Sequence, residues 1–101
     1  MRTRLELQSK LEELLGAKHV YYQAPESQKM EYPCIRYSKS RPDVKHASNV
    51  KYINKDCYEI IVISKRPDND AIQKILDLPY TSFDRHYVAN NMNHDVITLY
   101  L

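Results

Sequence analysis

Glycine is almost missing from this sequence: Gly16 is the only one in 101 residues. Loops that cradle a phosphate on backbone N–H groups need several glycines, so the P-loop and the dinucleotide-binding fingerprint are excluded. Hairpins closed by a two-residue glycine turn are disfavoured too, which leaves the turns to Asn, Asp, Pro and Ser. Tryptophan is absent and phenylalanine occurs once. The two cysteines, Cys34 and Cys57, have no C-x-x-C spacing and no secretory leader ahead of them. Neither a disulfide framework nor a zinc site is indicated. No apolar run approaches the roughly 20 residues of a membrane span, and no cationic-then-apolar leader opens the chain. The expectation is a soluble protein without a membrane partner that stays on the side of the membrane where it is made.

What is present is ordinary in bulk and uneven in detail. Hydrophobic residues make up 43% and charged residues 28%, as in a globular domain, and the length suits a single one over residues 1–101. A core this small gives limited stability, so association with other chains is expected to add to it. The net charge of +2 is concentrated. Arg36, Lys39, Arg41, Lys45, Lys51 and Lys55 face one acid, Asp43, giving +5 between residues 36 and 55 and −3 elsewhere. Such a segment meets nucleic acid, an acidic protein surface, or only water.

Hydrophobic spacing sets the elements. Leu7, Leu11, Leu14 and Leu15 recur at helical intervals, with Thr3 as N-cap, Glu6 three residues later, and Gly16 at the left-handed position that ends a helix. His19 to Tyr22 reads as a brief strand. Cys34 to Lys39 alternates, as a half-buried strand does, and Lys51 to Ser64 is a longer extended run. Its Ile60-Ile61-Val62-Ile63 core predicts a central strand covered on both faces. Asp68 or Asn69 caps a second helix carrying Ile72, Ile75 and Leu76, which Pro79 closes. Strands over Thr81–Val88 and His94–Leu101 follow, joined at Asn90-Asn91, where asparagine tolerates positive φ. The order α-β-β-β-α-β-β predicts an α+β domain: a mainly antiparallel sheet of four to five strands with two helices packed on one face.

Candidate chemistry is sparse. Cys57 has in Lys55 and the histidines the residue types that activate a thiol, but no motif surrounds it, and a buried free cysteine is the simpler reading. His86 and His94, with Asp84 and Asp95, bind a metal only if the last hairpin sets the two rings side by side; a one-residue shift separates them. No pair of carboxylates is spaced for hydrolysis. Neither catalysis, nor a metal, nor a cofactor is therefore expected. Nine tyrosines are the strongest composition signal. In strands they serve as core, as anchors against another protein, or as stacking platforms for bases. The glycine-containing signature of the common RNA-recognition module is missing.

Leu78-Pro79-Tyr80-Thr81-Ser82-Phe83-Asp84-Arg85-His86-Tyr87, continued by Asn91-Met92-Asn93-His94 and Thr98-Leu99-Tyr100, resembles small proteins of the structural gene block of tailed phages. Tyr32-Pro33-Cys34-Ile35-Arg36-Tyr37 and Val62-Ile63-Ser64-Lys65-Arg66-Pro67-Asp68 follow the same pattern. In size and element order these are similar to tail terminators, also called tail-completion proteins. The resemblance implies a non-enzymatic virion protein forming a ring, usually hexameric, that caps the tail tube and joins tail to neck. Its partners would be copies of itself, the tail tube protein and neck or connector proteins, with DNA passing through the lumen. It would reside at the tail–neck junction, and in the host cytoplasm during assembly. The expected assembly interface is Lys39, Arg41, Lys45, His46 and Lys51 of the basic loop, with Tyr80, Arg85 and Tyr87. A head-closure (stopper) protein or other neck component is the alternative within that block. A small nucleic-acid-binding module is the alternative outside it, and needs basic and aromatic side chains on one continuous exposed face.

Overall fold

The computed structural model describes residues 3–23, 31–40, 57–66 and 70–100. Helix α1 spans Arg4–Leu15 and α2 spans Asp70–Leu76. Strands β1 (Val20–Tyr22), β2 (Cys34–Ser40), β3 (Cys57–Ser64), β4 (Thr81–Ala89) and β5 (Met92–Tyr100) form one sheet in the order β1-β2-β3-β5-β4. All neighbours are antiparallel except β1 and β2, which are parallel. This is the α+β domain read from the sequence, with β3 at its centre. The caps expected at Asp68 or Asn69 and the extended residues 51–56 lie outside the described residues.

The first helix begins and ends where its side chains dictate. The Thr3 hydroxyl accepts the Glu6 N–H at 3.2 Å, a cap worth about 1 kcal/mol. Gly16 adopts φ 79° and donates its N–H to the Glu12 carbonyl at 3.0 Å, so the only glycine sits where an L side chain would be strained. Leu7 and Leu11 are fully buried, with Leu14 and Leu15 partly so.

Both helices cover one face of the sheet. Val20 on β1, Ile35 and Tyr37 on β2, Tyr58, Ile60 and Val62 on β3, and Ile97 and Leu99 on β5 pack there against Leu7, Leu11 and Ile75. The period of two along each strand is what aligns them. Tyr37 carries the polar join: its hydroxyl donates to Gln8 Oε1 at 2.6 Å, while Gln8 Nε2 donates to the Val20 carbonyl at 3.0 Å. Arg4 reaches the Tyr37 hydroxyl at 3.4 Å and lies 4.4 Å above the Tyr22 ring. The Tyr22, Tyr37 and Tyr58 rings pack with centroids 4.9 to 6.5 Å apart. Burial pushes the Tyr37 hydroxyl pKa up, and the Arg4 guanidinium only partly offsets that. On the opposite face a smaller cluster joins Cys34, Ile63 and Met92, with Tyr21 and Ile61 against it.

The last hairpin closes as the asparagines require. Asn90 and Asn91 have φ 53° and 62°, the two consecutive left-handed residues of a type I′ turn. Both strands run one or two residues differently from the sequence expectation, since pairing from Ala89–Met92 outward defines their ends.

Candidate assembly surface

Strand β4 stands apart from the rest of the sheet. Its residues Ser82 to Val88 are all exposed, whereas β5 beside it is mostly buried. Among the described residues nothing pairs with its outer edge. It also concentrates exposed apolar side chains: Phe83 is 48% exposed, Tyr87 37% and Val88 64%, with Tyr80 at 47% just before the strand. A nine-residue strand that carries aromatic side chains and, among the described residues, has one open edge is what proteins ordinarily cover, because such an edge templates pairing with another chain.

The local geometry is well defined. Register shifts between Phe83 and Arg85, so Asp84 is the extra residue of a β-bulge. The shift moves the alternation: Thr81, Phe83, His86 and Val88 project on the helix-covered face, and Ser82, Arg85 and Tyr87 on the opposite one. Arg85 donates to Asp84 Oδ2 at 2.7 Å, and its guanidinium lies 5.9 Å from the Tyr87 ring centroid. Tyr87 stacks on His94 across the ladder at 4.7 Å and 13°. Before the strand, Tyr80 takes φ 60°, an unfavourable setting for an aromatic residue. Its carbonyl accepts the Tyr100 N–H at 3.0 Å, and the Thr81 hydroxyl caps the end of α2 on the Leu78 and Leu76 carbonyls at 2.9 and 3.2 Å.

The structure separates the two histidines considered as metal ligands. Register pairs His86 with Asp95 and Tyr87 with His94, so the imidazoles lie on opposite faces. His86 Nδ1 instead meets Asp95 Oδ1 at 2.8 Å. Asp95 is 5% exposed and its Oδ2 has no hydrogen-bond partner, so the His86 contact is what compensates this carboxylate. Among the described residues no group of three or more His, Cys, Asp and Glu is placed to hold a metal ion. Cys57 opens β3 and Cys34 opens β2; both are buried and free. They stand at opposite ends of the β2–β3 ladder, about 20 Å apart at the rise of a strand. The Cys57 thiol accepts the Ser40 hydroxyl at 3.3 Å, and burial pushes the Cys34 thiol pKa up to about 11, against a smaller opposing effect of Arg36. That is the opposite of nucleophile activation.

Of the expected interface residues, Tyr80, Arg85 and Tyr87 fall together on or beside the β4 edge. Lys39 is exposed near the end of β2, in the cross-sheet row Lys39–Tyr58–Leu99–Thr81. It therefore shares an end of the sheet with Tyr80, about 14 Å from β4 at ordinary strand spacing. Arg41, Lys45, His46 and Lys51 lie outside the described residues. Phe83 and Val88 were not singled out by sequence, because nothing in their local pattern distinguishes an edge strand from a covered one. The tyrosines divide sharply: Tyr37 and Tyr58 are core, so only part of the set is available as anchors. Nor is the helix-free face a bare stacking platform, since Cys34, Cys57 and Val96 on it are buried. No helix among the described residues is long and apolar enough to cross a membrane.

No protein family, no curated protein and no solved structure matches this chain.

Proposed function

We propose that this chain is a non-enzymatic assembly subunit of the tail-terminator type, which forms a ring on the end of a phage tail tube and joins it to the neck. The observation that carries the reading is the β4 edge, where Tyr80, Phe83, Tyr87 and Val88 stand exposed on or beside a strand whose outer side has no neighbour among the described residues. A closed ring covers such edges by repeating one heterologous contact around its axis. Mass action from neighbours then adds stability that a domain of 101 residues has in short supply. The resemblance of the chain to small proteins of the tailed-phage structural gene block, which are similar in size and element order to tail terminators, supports this reading of the assembly. Lys39, with Arg41, Lys45, His46 and Lys51 of the basic segment, serves as the polar contact to tube, neck or the DNA in the lumen.

The decisive experiment is localisation of the subunit in an intact particle by electron microscopy. A ring at the tail end of the neck supports the terminator reading. A ring at the head end assigns the chain to head closure instead, and a particle lacking it overturns both. Native mass spectrometry of the free chain in the presence of purified tail tube provides the simpler check.

A further inference from the structure

The bulge in β4 has a consequence for how two copies of the chain meet. The hairpin closes on the pair Ala89–Met92, so Val88 and His86 turn their backbone N–H and C=O groups away from β5. Counting from the other end, the Tyr100 N–H to Tyr80 carbonyl bond makes Thr81 and Phe83 outward-bonding as well. All four project their side chains on the helix-covered face. In a regular strand the outward-bonding residues share one face because both alternations have period two; here the extra residue, Asp84, moves that face from the odd positions Thr81 and Phe83 to the even positions His86 and Val88.

We propose that the free chain self-associates as a two-fold pair through β4, the two strands running antiparallel about an axis between Asp84 and Arg85. This setting places Phe83 opposite the partner's His86 and Thr81 opposite the partner's Val88, each an outward-bonding residue facing another on the same side of the sheet. Ser82 then faces the partner's Tyr87 on the other side. Asp84 meets the partner's Arg85, and Arg85 the partner's Asp84, so opposite charges pair twice. Without the bulge, matching faces would force the axis through a single residue, setting Asp84 against itself or Arg85 against itself, which is destabilising. The pairing adds a continuous ladder across two five-stranded sheets and brings Phe83 and Val88 of both copies onto one face. It does not rest on the ring reading. A polar ring joins unlike edges, so for any one subunit the pair and the ring are alternatives, and the pair covers this edge before assembly.

Charge reversal tests it. Sedimentation velocity on the full chain over a wide concentration range, at low salt, is expected to show monomer passing to dimer. Arg85→Asp makes the centre of β4 doubly acidic, and Asp84→Arg makes it doubly basic. Each variant alone is expected to lose at least tenfold in association, while an equimolar mixture of the two restores dimer. Circular dichroism and thermal unfolding of each variant confirm that the fold is retained, and Val88→Pro, which removes an outward N–H without touching the β4–β5 ladder, gives a second, charge-independent loss. A wild-type chain that stays monomeric throughout, a dimer unaffected by all three variants, or two charge variants that fail to restore each other overturns the pairing. A wild-type ring of higher order with no dimer also overturns it, while supporting the proposed function.

Discussion

The sheet has two sides in the lateral sense, and they treat the same kind of residue in opposite ways. Under α1, Tyr22, Tyr37 and Tyr58 are packed into a cluster sealed by Gln8 and Arg4. At the far edge, Tyr80, Phe83 and Tyr87 are left exposed on and beside β4. Ring chemistry does not differ between the two groups. What differs is cover: Tyr37 and Tyr58 lie on β2 and β3, which have neighbours on both sides, and Tyr22 on the edge strand β1 is closed over by Arg4, while among the described residues β4 pairs with β5 alone. The comparison teaches that aromatic content signals a large contact area to be buried, and that the topology decides whether the chain buries it alone or against another copy or partner.

Breaking the covered side should have the largest effect. Ile60→Ala, at a fully buried position in the central strand, is expected to destabilise by about 2–5 kcal/mol, measured by urea unfolding. Alkaline pH acts on the same side. Cys34 and Tyr37 both have pKa values above their ordinary ones when folded. Below the ordinary thiol value near 9.0, folded and unfolded chains both hold the Cys34 proton and its contribution is complete. As pH rises toward about 11 the unfolded chain releases that proton first, so stability falls. The loss from Cys34 is at most about 3 kcal/mol, and a Cys34→Ala variant should show a flatter decline between pH 8 and 11. Tyr37→Phe removes the hydroxyl shared with Gln8 and Arg4, and is expected to cost about 1–2 kcal/mol, read as a lowered thermal midpoint. The smallest stability effect belongs to the uncovered side: Phe83→Ser should change unfolding free energy by no more than about 0.5 kcal/mol. The same substitution should weaken self-association or ring formation several-fold in sedimentation or native mass spectrometry. A Phe83→Ser chain as destabilised as Ile60→Ala would erase the distinction between the two sides.

Much of the architecture was legible in local pattern. The leucine spacing, Thr3 and Gly16 specify α1 because capping and helical periodicity act within a few residues. Asn90-Asn91 specifies the last turn because few residues accept two left-handed positions in succession. The candidate site was legible only in part. Tyr80, Arg85 and Tyr87 came from likeness to other sequences. Phe83 and Val88 became visible only when β4 was seen at the edge of the sheet. The parallel pairing of β1 with β2 and the bulge at Asp84 have no local signature, since each depends on how distant segments align.

The sequence by itself determined where the chain turns helical, where it extends and where it stops, through interactions spanning a handful of residues. It also determined that the chain is rich in rings and poor in glycine. Only the tertiary structure decided strand order, and with it which tyrosines become core and which become surface. Only the register of the final hairpin decided that His86 meets Asp95 rather than His94. The physical reason is that a strand carries its side-chain alternation within itself, whereas its neighbours and its register are set by the free energy of the whole packed sheet.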